Sequence, residues 1–354
     1  MLRWRRWSGY KKVLYVDRFY PDKGLTRREE KRRDKSHRER FRGQDGFFRA
    51  ALHSRFRVTE IKLDDLMRRG RSFADRFDYI VVCSKADSSG QGRHWREFNG
   101  LADITSRPKA LFLCNERADY MPDDQCLDRF DVVFKREPFR DLERYNLQPR
   151  NRDKIRKTWL SCQLVPTRRD NIDHIRVADY SYDAPAPEPK NDVFFAGKQS
   201  SPERSRAWAR ILASDLRASG GIQPHNIAPD VAPTIAGPKL KPEAFQHALR
   251  DACVDLALEG TSEFSHRHLE IWLLTGFCLS SPSIRELSLP GEPRENEHFV
   301  CYDDHDDLID KIRFYAEHRE PRERIAQAGH DRFMAHYDFR AHGTFIERCL
   351  SGDA

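Results

Sequence analysis

Short, apolar runs of five or six residues, recurring between helix-compatible stretches, constrain this chain more than any other feature. Lys12–Asp17 (KVLYVD), Tyr79–Ser84 (YIVVCS), Ala110–Asn115 (ALFLCN) and Asp131–Lys135 (DVVFK) are β-branched or aromatic through their centres, while Arg57–Leu63 (RVTEIKL) alternates with period two. A run without a polar face belongs to a strand covered on both sides, which is the condition of a parallel sheet. Gly46–Ser54 and Arg93–Asp103 have helical composition and supply the crossovers such a sheet requires. The first half therefore reads as a Rossmann-like α/β domain.

The pattern then repeats. Asp183–Lys190 (DAPAPEPK), with Pro185, Pro187 and Pro189, can continue neither a helix nor a central strand and reads as a linker. Beyond it, Val193–Ala196, Val254–Leu258, Phe277–Ser280 and His298–Tyr302 read as strands, with His225–Ala228 a weaker candidate. Pro202–Ser219, Lys241–Asp251, Arg267–Thr275, Asp307–His318, Pro321–Tyr337 and Phe339–Cys349 read as helices, the third closed by Gly276 at the C′ position. A chain of 354 residues accommodates two such domains. The expected division is an N-terminal Rossmann-like domain over 1–182, a linker over 183–190, a C-terminal domain over 191–336, and a closing helix over 337–354 that crosses back to the first domain.

No apolar run approaches the roughly 20 residues of a bilayer helix, and the basic N-terminus lacks the apolar core of a secretory signal. The eight cysteines include no Cys-x-x-Cys pair, which argues against a zinc site and for a reduced, cytoplasmic protein. Charge is unevenly spread. Residues 1–57 carry 19 Lys/Arg against 7 Asp/Glu, a balance of +12 in a chain whose net charge is +7, so the remainder sums to −5. Arg27–Arg42 (RREEKRRDKSHRERFR) contributes nine Lys/Arg against four Asp/Glu, a balance of +5. A solvated helix or loop, attraction of an anionic or membrane-anchored acceptor, nucleic-acid binding and partner docking all remain open for it, with nucleic acid the weaker expectation because no aromatic residues alternate with the bases.

Ligands of open α/β sheets bind beyond the carboxyl ends of the strands. Glu259–Ser281 (EGTSEFSHRHLEIWLLTGFCLSS) places a polar loop there, then a helix opening with His266, Arg267 and Glu270. A helix N-terminus favours an anion, an Arg in its first turn adds a bidentate donor, and a Glu three residues on shares that face and can accept from ribose hydroxyls. An ordinary Arg–Glu surface pair fits the same spacing. Gly197, Lys198, Ser200, Ser201 and Arg204, in Phe194–Arg206 (FFAGKQSSPERSR), form a second phosphate-facing candidate that lacks the P-loop order. Asp17, Ser84, Asn115, Glu116, Lys135 and Arg136 fall at strand ends of the first half, and Asp17 and Glu116 are the candidate general bases. Asp303–Asp307 (DDHDD) precedes a helix and reads as capping acids, so no metal is expected.

Arg267-His-Leu-Glu270 followed by Leu-Leu-Thr-Gly276 resembles the R-x-F-E…G signature of GT-B glycosyltransferases, in the group-1, spore-maturation-type branch, with Leu269 in place of Phe. His298–Phe339 is similar to the strand–helix and R-x-x-I-A-x-A-G run that follows it in that family. The resemblance spans about residues 197–339. It implies an α/β fold of two Rossmann-like domains facing each other across a cleft, a nucleotide-diphosphate sugar on the C-terminal domain, and an acceptor on the N-terminal one. It further implies Arg267 at the diphosphate, Glu270 at the ribose, and catalysis without a metal or other cofactor. The E-x7-E pair of many retaining members is absent, since Glu263 and Glu270 are one residue closer, and the stereochemical outcome stays open. Expected partners are the nucleotide sugar and a glycan, lipid-linked or other hydroxyl acceptor in glycan or cell-surface polysaccharide synthesis, with peripheral contact at the inner face of an anionic membrane. A nucleotide-sugar epimerase or hydrolase on the same scaffold, and a non-catalytic polyanion-binding protein using residues 27–42, are the rival readings.

Overall fold

The computed structural model describes residues 10–17, 28, 41, 44–84, 104–114, 117–165, 172, 176–180, 188–225 and 230–353. Glu116 and Asn115, the helix expected over 93–103, most of the basic run 27–42 and the proline-rich core of 183–190 lie outside them. The chain divides into two compact units. The first comprises Met1–Ser161, Pro166–Ile175 and Asp338–Ala354, and the second Cys162–Val165 with Arg176–Tyr337.

The first unit is built on a parallel sheet of order β2-β1-β3-β4-β5-β6, from β1 (Lys12–Asp17), β2 (Arg57–Lys62), β3 (Tyr79–Cys83), β4 (Lys109–Leu113), β5 (Val132–Lys135) and β6 (Ile155–Lys157). Successive side chains of a strand point to opposite faces. Leu14, Val16, Ile80, Val82, Leu111 and Leu113 therefore pack on one side with Leu66 of α2 (Leu63–Ala74). Val13, Tyr15, Val81, Phe112 and Phe134 pack on the other with α1 (Gly46–Arg55) and the C-terminal helix α8 (Phe339–Ser351). Phe48 of α1 stacks on Phe112 at 4.0 Å between ring centroids. An added Cβ at Gly343 of α8 would lie 2.5 Å from the Ala51 carbonyl, so glycine lets α8 lie directly on α1.

The second unit has a parallel sheet of order β11-β10-β9-β7-β8. Its strands are β7 (Asn191–Lys198), β8 (Ala218–Gln223), β9 (Ala252–Ala257), β10 (Cys278–Ser280) and β11 (Val300–Cys301). Phe195, Val254, Leu256 and Leu279 face Trp208 and Ile211 of α3 (Pro202–Leu212), and Leu308 and Ile312 of α6 (His305–Glu317). The opposite face is covered by α4 (Pro242–Arg250) and α5 (His266–Leu273). The helix α7 (Arg319–His336) packs on α5, where Trp272 donates to the His298 carbonyl at 3.2 Å.

Two sequence expectations are corrected. The helix expected over 202–219 ends at Leu212, and Ala218–Gln223 is strand β8. Gly276 is not the left-handed residue closing α5: Thr275 holds that position, at φ 57°. Glycine at 276 is required for space instead, because a Cβ there would come 2.5 Å from an Asp255 carboxyl oxygen. Asp304 caps α6, its carboxylate accepting from the backbone of Asp306 and Asp307 at 2.9 Å each. Among the described residues, no helix is long and apolar enough to cross a membrane.

Candidate active site

At the carboxyl edge of the second sheet, three chain segments meet: the end of β7 with its loop into α3, the loop after β9, and the N-terminus of α5. Arg204 ties the first two together. Its guanidinium is buried and donates to the Lys198 carbonyl at 2.6 Å, the Ser200 hydroxyl at 2.8 Å and the Leu258 carbonyl at 2.9 Å. Ser201 caps α3, accepting from the Arg204 backbone at 3.2 Å and donating to the Glu259 carbonyl at 3.0 Å. The Glu259 backbone donates at 2.8 Å to the Ser281 hydroxyl, which is itself 3.0 Å from Tyr302 Oη. These bonds fix Gly197, Lys198, Ser200, Ser201 and Glu259–Gly260 as one frame. At Gly260 the chain runs so close to Arg204 that a Cβ would lie 2.6 Å from its guanidinium.

Among the described residues, the acceptors of Arg204 are all neutral. Burial, and after it the charge of Arg267, lower its pKa to about 10, and its Nε is buried without a hydrogen-bond partner. A positive charge in low dielectric with no carboxylate on it is costly, and the cost falls when an anion arrives. Arg267 is held differently. Its Nη1 donates to Glu270 Oε2 at 2.7 Å and its Nη2 to the Ala196 carbonyl at 2.5 Å. The Arg267 and Glu270 side chains are 19% and 10% exposed, so the pair is largely covered and its charges offset each other within the site. Two of the five guanidinium N–H groups are thereby used.

The start of α5 is positioned from beneath by His268. Its Nδ1 accepts from the Ser265 backbone at 3.2 Å, and Nε2 lies 2.8 Å from the Ser280 hydroxyl. Burial drives its pKa down to about 3, so the ring is neutral. The sequence placed His266 with Arg267 and Glu270 at the opening of this helix. In the structure His266 Nδ1 lies 3.5 Å from the amide nitrogen of Gln163, in the short segment Cys162–Val165 that belongs to the second unit. Lys198 is exposed at the end of β7. Gly197, Lys198, Ser200, Ser201, Arg204, His266, Arg267 and Glu270 thus all belong to this edge of the second unit, and among them Arg204 is a buried cation whose hydrogen-bond acceptors are all neutral.

Two residues of this region were not singled out by the sequence. Phe245 of α4 lies under Arg267, the guanidinium carbon 4.0 Å from the ring centroid. Asp255 of β9 is buried with neither carboxyl oxygen hydrogen-bonded. Burial raises its pKa well above the ordinary carboxylate value, against the pull of Arg267. An acid inside an apolar strand was the available signal for Asp255; Phe245 gave none, because a phenylalanine on an amphipathic helix is ordinary core.

In the first unit, Asp17 ends β1 half-buried. Nearby, Arg49 of α1 donates to both carboxylate oxygens of Glu60 on β2, at 2.9 and 3.0 Å, and His53 Nε2 lies 3.1 Å from Glu60 Oε1. Burial opposes ionisation of Glu60, yet His53 and Arg49 lower its pKa to about 2. Ser84 accepts from the Cys114 backbone at 2.9 Å, and Lys135 donates to the Arg117 carbonyl at 2.8 Å. Arg136 is buried beside Glu137, with 3.3 Å between the charged groups. The structure therefore gives Ser84, Lys135 and Arg136 internal partners.

A family model described as glycosyl transferase-like matches residues 210–348, which take in α5 and most of the second unit. Solved structures align over nearly the whole chain. HepE from Anabaena, in complex with UDP and glucose, aligns over 97% of this chain and all of its own at 11% identity, with a TM-score of 0.54. A glycosyltransferase from Rickettsia africae aligns over 98% and 100% at 9% identity, TM-score 0.53. The DNA-modifying enzyme beta-glucosyltransferase aligns over 96% and 99% at 10% identity, TM-score 0.51. At these identities the likeness is one of fold. No protein of curated function matches the sequence. The second unit thus matches a glycosyl transferase-like family model, and the chain as a whole has the fold of two Rossmann-like domains shared with these solved structures.

Proposed function

We propose that the carboxyl edge of the second sheet binds a nucleotide-diphosphate sugar and that the chain transfers its sugar to an acceptor hydroxyl. The observation that carries this reading is Arg204, a buried guanidinium in the first turn of α3 whose hydrogen-bond partners are all neutral and whose pKa is lowered by burial and further by the charge of Arg267 on α5. A diphosphate supplies the missing negative charge, and aligned helix N–H groups and arginine forks are its usual hosts. Three N–H groups of Arg267 remain for phosphate oxygens, while Glu270 fixes the guanidinium and offers its second oxygen to a ribose hydroxyl. Lys198 adds a mobile cation at the mouth of the site. The structures of HepE with UDP and of beta-glucosyltransferase, whose substrate is uridine diphosphoglucose, support this class of donor.

In the reaction the acceptor oxygen bonds to the anomeric carbon as the bond from that carbon to the diphosphate oxygen breaks. The acceptor proton passes to a base, and the negative charge developing on the diphosphate is stabilised by Arg204, Arg267, Lys198 and the α5 N-terminus. This cationic set takes the part a metal ion plays elsewhere, so no metal or other cofactor is assigned. Asp17 and Glu116 are our candidates for the base. The +12 balance of residues 1–57 favours an anionic acceptor, a lipid-linked or cell-surface glycan precursor at the inner face of a membrane. A DNA acceptor is the second reading, favoured by the same charge and by the fold shared with a DNA-modifying enzyme.

The test is a calorimetric titration and thermal-shift panel of uridine, guanosine, adenosine and thymidine diphosphate sugars against wild type, Arg204→Lys, Arg267→Ala and Glu270→Ala. At least one sugar nucleotide should bind the wild type and raise its melting temperature. Each substitution should weaken that ligand roughly tenfold or more, the worth of one charge-assisted hydrogen bond. Absence of binding throughout, or variants indistinguishable from wild type, refutes the assignment. Transfer of labelled sugar to lipid-linked glycan or to DNA then decides between the acceptors.

A further inference from the structure

We propose that Phe245 is a positioning residue for Arg267: its ring is the shelf that fixes the plane of the guanidinium and thereby the affinity of the site for a diphosphate. The proposal rests on the donor-site reading above. The guanidinium carbon sits 4.0 Å from the Phe245 centroid, the distance of a face-on cation–π contact. Phe245 is only 9% exposed and leans in turn on Phe194 of β7, with 5.7 Å between ring centroids. Glu270 and the Ala196 carbonyl each hold one terminal nitrogen of Arg267. Those two bonds fix the ends of the fork but leave it free to roll about the line joining them; the ring beneath removes that freedom.

The neighbouring strand residue shows the same device on the other side of the sheet. Phe195 follows Phe194 in β7 and points to the opposite face, where the guanidinium carbon of Arg204 lies 5.4 Å from its centroid. Two consecutive phenylalanines of β7 thus stand behind the two arginines, Phe195 directly and Phe194 through Phe245. An arginine that must meet a planar, multivalent anion gains affinity when its orientation is fixed in advance, because less freedom is lost on binding. A phenylalanine at 245 supplies this without adding a competing charge or acceptor.

The experiment is a double-mutant cycle on the full chain, read by calorimetric titration of uridine, guanosine, adenosine and thymidine diphosphates. Phe245→Leu keeps apolar bulk and removes the π face; Phe245→Tyr keeps the face; Phe245→Met stands in should the leucine variant fail to fold. Phe245→Leu should raise Kd about fivefold, the loss of one partly desolvated cation–π contact. Phe245→Tyr should stay within about twofold of wild type, and in an Arg267→Ala background Phe245→Leu should add nothing. Wild-type affinity in Phe245→Leu, alongside weakened binding by Arg267→Ala, overturns the role of Phe245 and leaves the donor site standing. An equal loss in both backgrounds also overturns it, since Phe245 then acts through packing alone. No diphosphate binding, or no effect of Arg267→Ala, overturns the donor site and this inference together.

Discussion

Two buried ionisable groups in the second unit are handled in opposite ways, and the second has a measurable consequence. Arg204 stays cationic in its buried position because it gathers carbonyl and hydroxyl acceptors from two loops. Neither carboxyl oxygen of Asp255 has a hydrogen-bond partner, and burial, against the pull of Arg267, raises its pKa well above the ordinary carboxylate value. In the unfolded chain an Asp loses its proton near pH 3.9. Above that pH the folded state holds a proton the unfolded state has released, so stability present below pH 3.9 is lost as pH rises toward the folded pKa. Asp255→Asn has no proton to lose. We expect it to stabilise the protein at pH 7 by about 1–2 kcal/mol, with the advantage over wild type growing from pH 4 upward. Urea unfolding of both proteins at pH 4, 5.5 and 7 measures this, and an advantage that does not change with pH would mean that Asp255 is ionised in the fold.

The end of α5 shows how such a residue shapes an element. Thr275 carries the left-handed backbone at φ 57° while Gly276, one position on, gives up its side chain to the Asp255 carboxyl. A β-branched residue in that conformation costs roughly 1 kcal/mol against glycine. Thr275→Gly should therefore raise stability by about that amount, whereas Gly276→Ala should lower it by roughly 2 kcal/mol as carboxyl and methyl compete for one space. Denaturant midpoints of the two variants check the pair, and the reverse order would restore Gly276 as the cap. Sequence pattern reaches such an end only to within a residue, because TG satisfies a cap rule in either register and the deciding contact comes from another strand. For the same reason KVLYVD and YIVVC are legible as strands, whereas ASGGIQ of β8 is not. Gly220 and Gly221 hold φ of 101° and 143° where the backbone passes against Phe195 and Gly237, a requirement of tertiary contact that local propensity opposes. The candidate site divides similarly. Arg267 and Glu270, three apart on one helix, are visible as a pair. The role of Arg204 is not, since its acceptors are main-chain carbonyls at Lys198 and Leu258, and a carbonyl has no signature in sequence.

At the scale of the molecule, each unit has among its described residues a histidine that burial keeps neutral, and this couples the stability of both to acid. His268 lies beneath α5 in the second unit. His342 lies in α8 of the first, its Nε2 2.6 Å from the Thr158 hydroxyl and its ring against Phe47, Phe48 and Phe345. Burial lowers both pKa values to about 3. An unfolded histidine takes up a proton near pH 6.5. Between pH 6.5 and 3 the unfolded state therefore binds more protons than the folded state, and stability rises with pH across that window and falls as pH drops through it. At pH 5 each site should destabilise the fold by roughly 2 kcal/mol relative to pH 7 and draw about one proton on unfolding. Because α8 closes the sheet of the first unit, acid should release that helix along with the rest of its unit. Proton uptake follows from calorimetric unfolding at pH 5 in buffers of different ionisation enthalpy. His268→Asn and His342→Asn should each reduce the uptake by about one proton and the double variant by about two. Uptake unchanged by a substitution would mean that the histidine already carries its proton in the fold, in which case the packing around that ring holds a charge rather than excluding one.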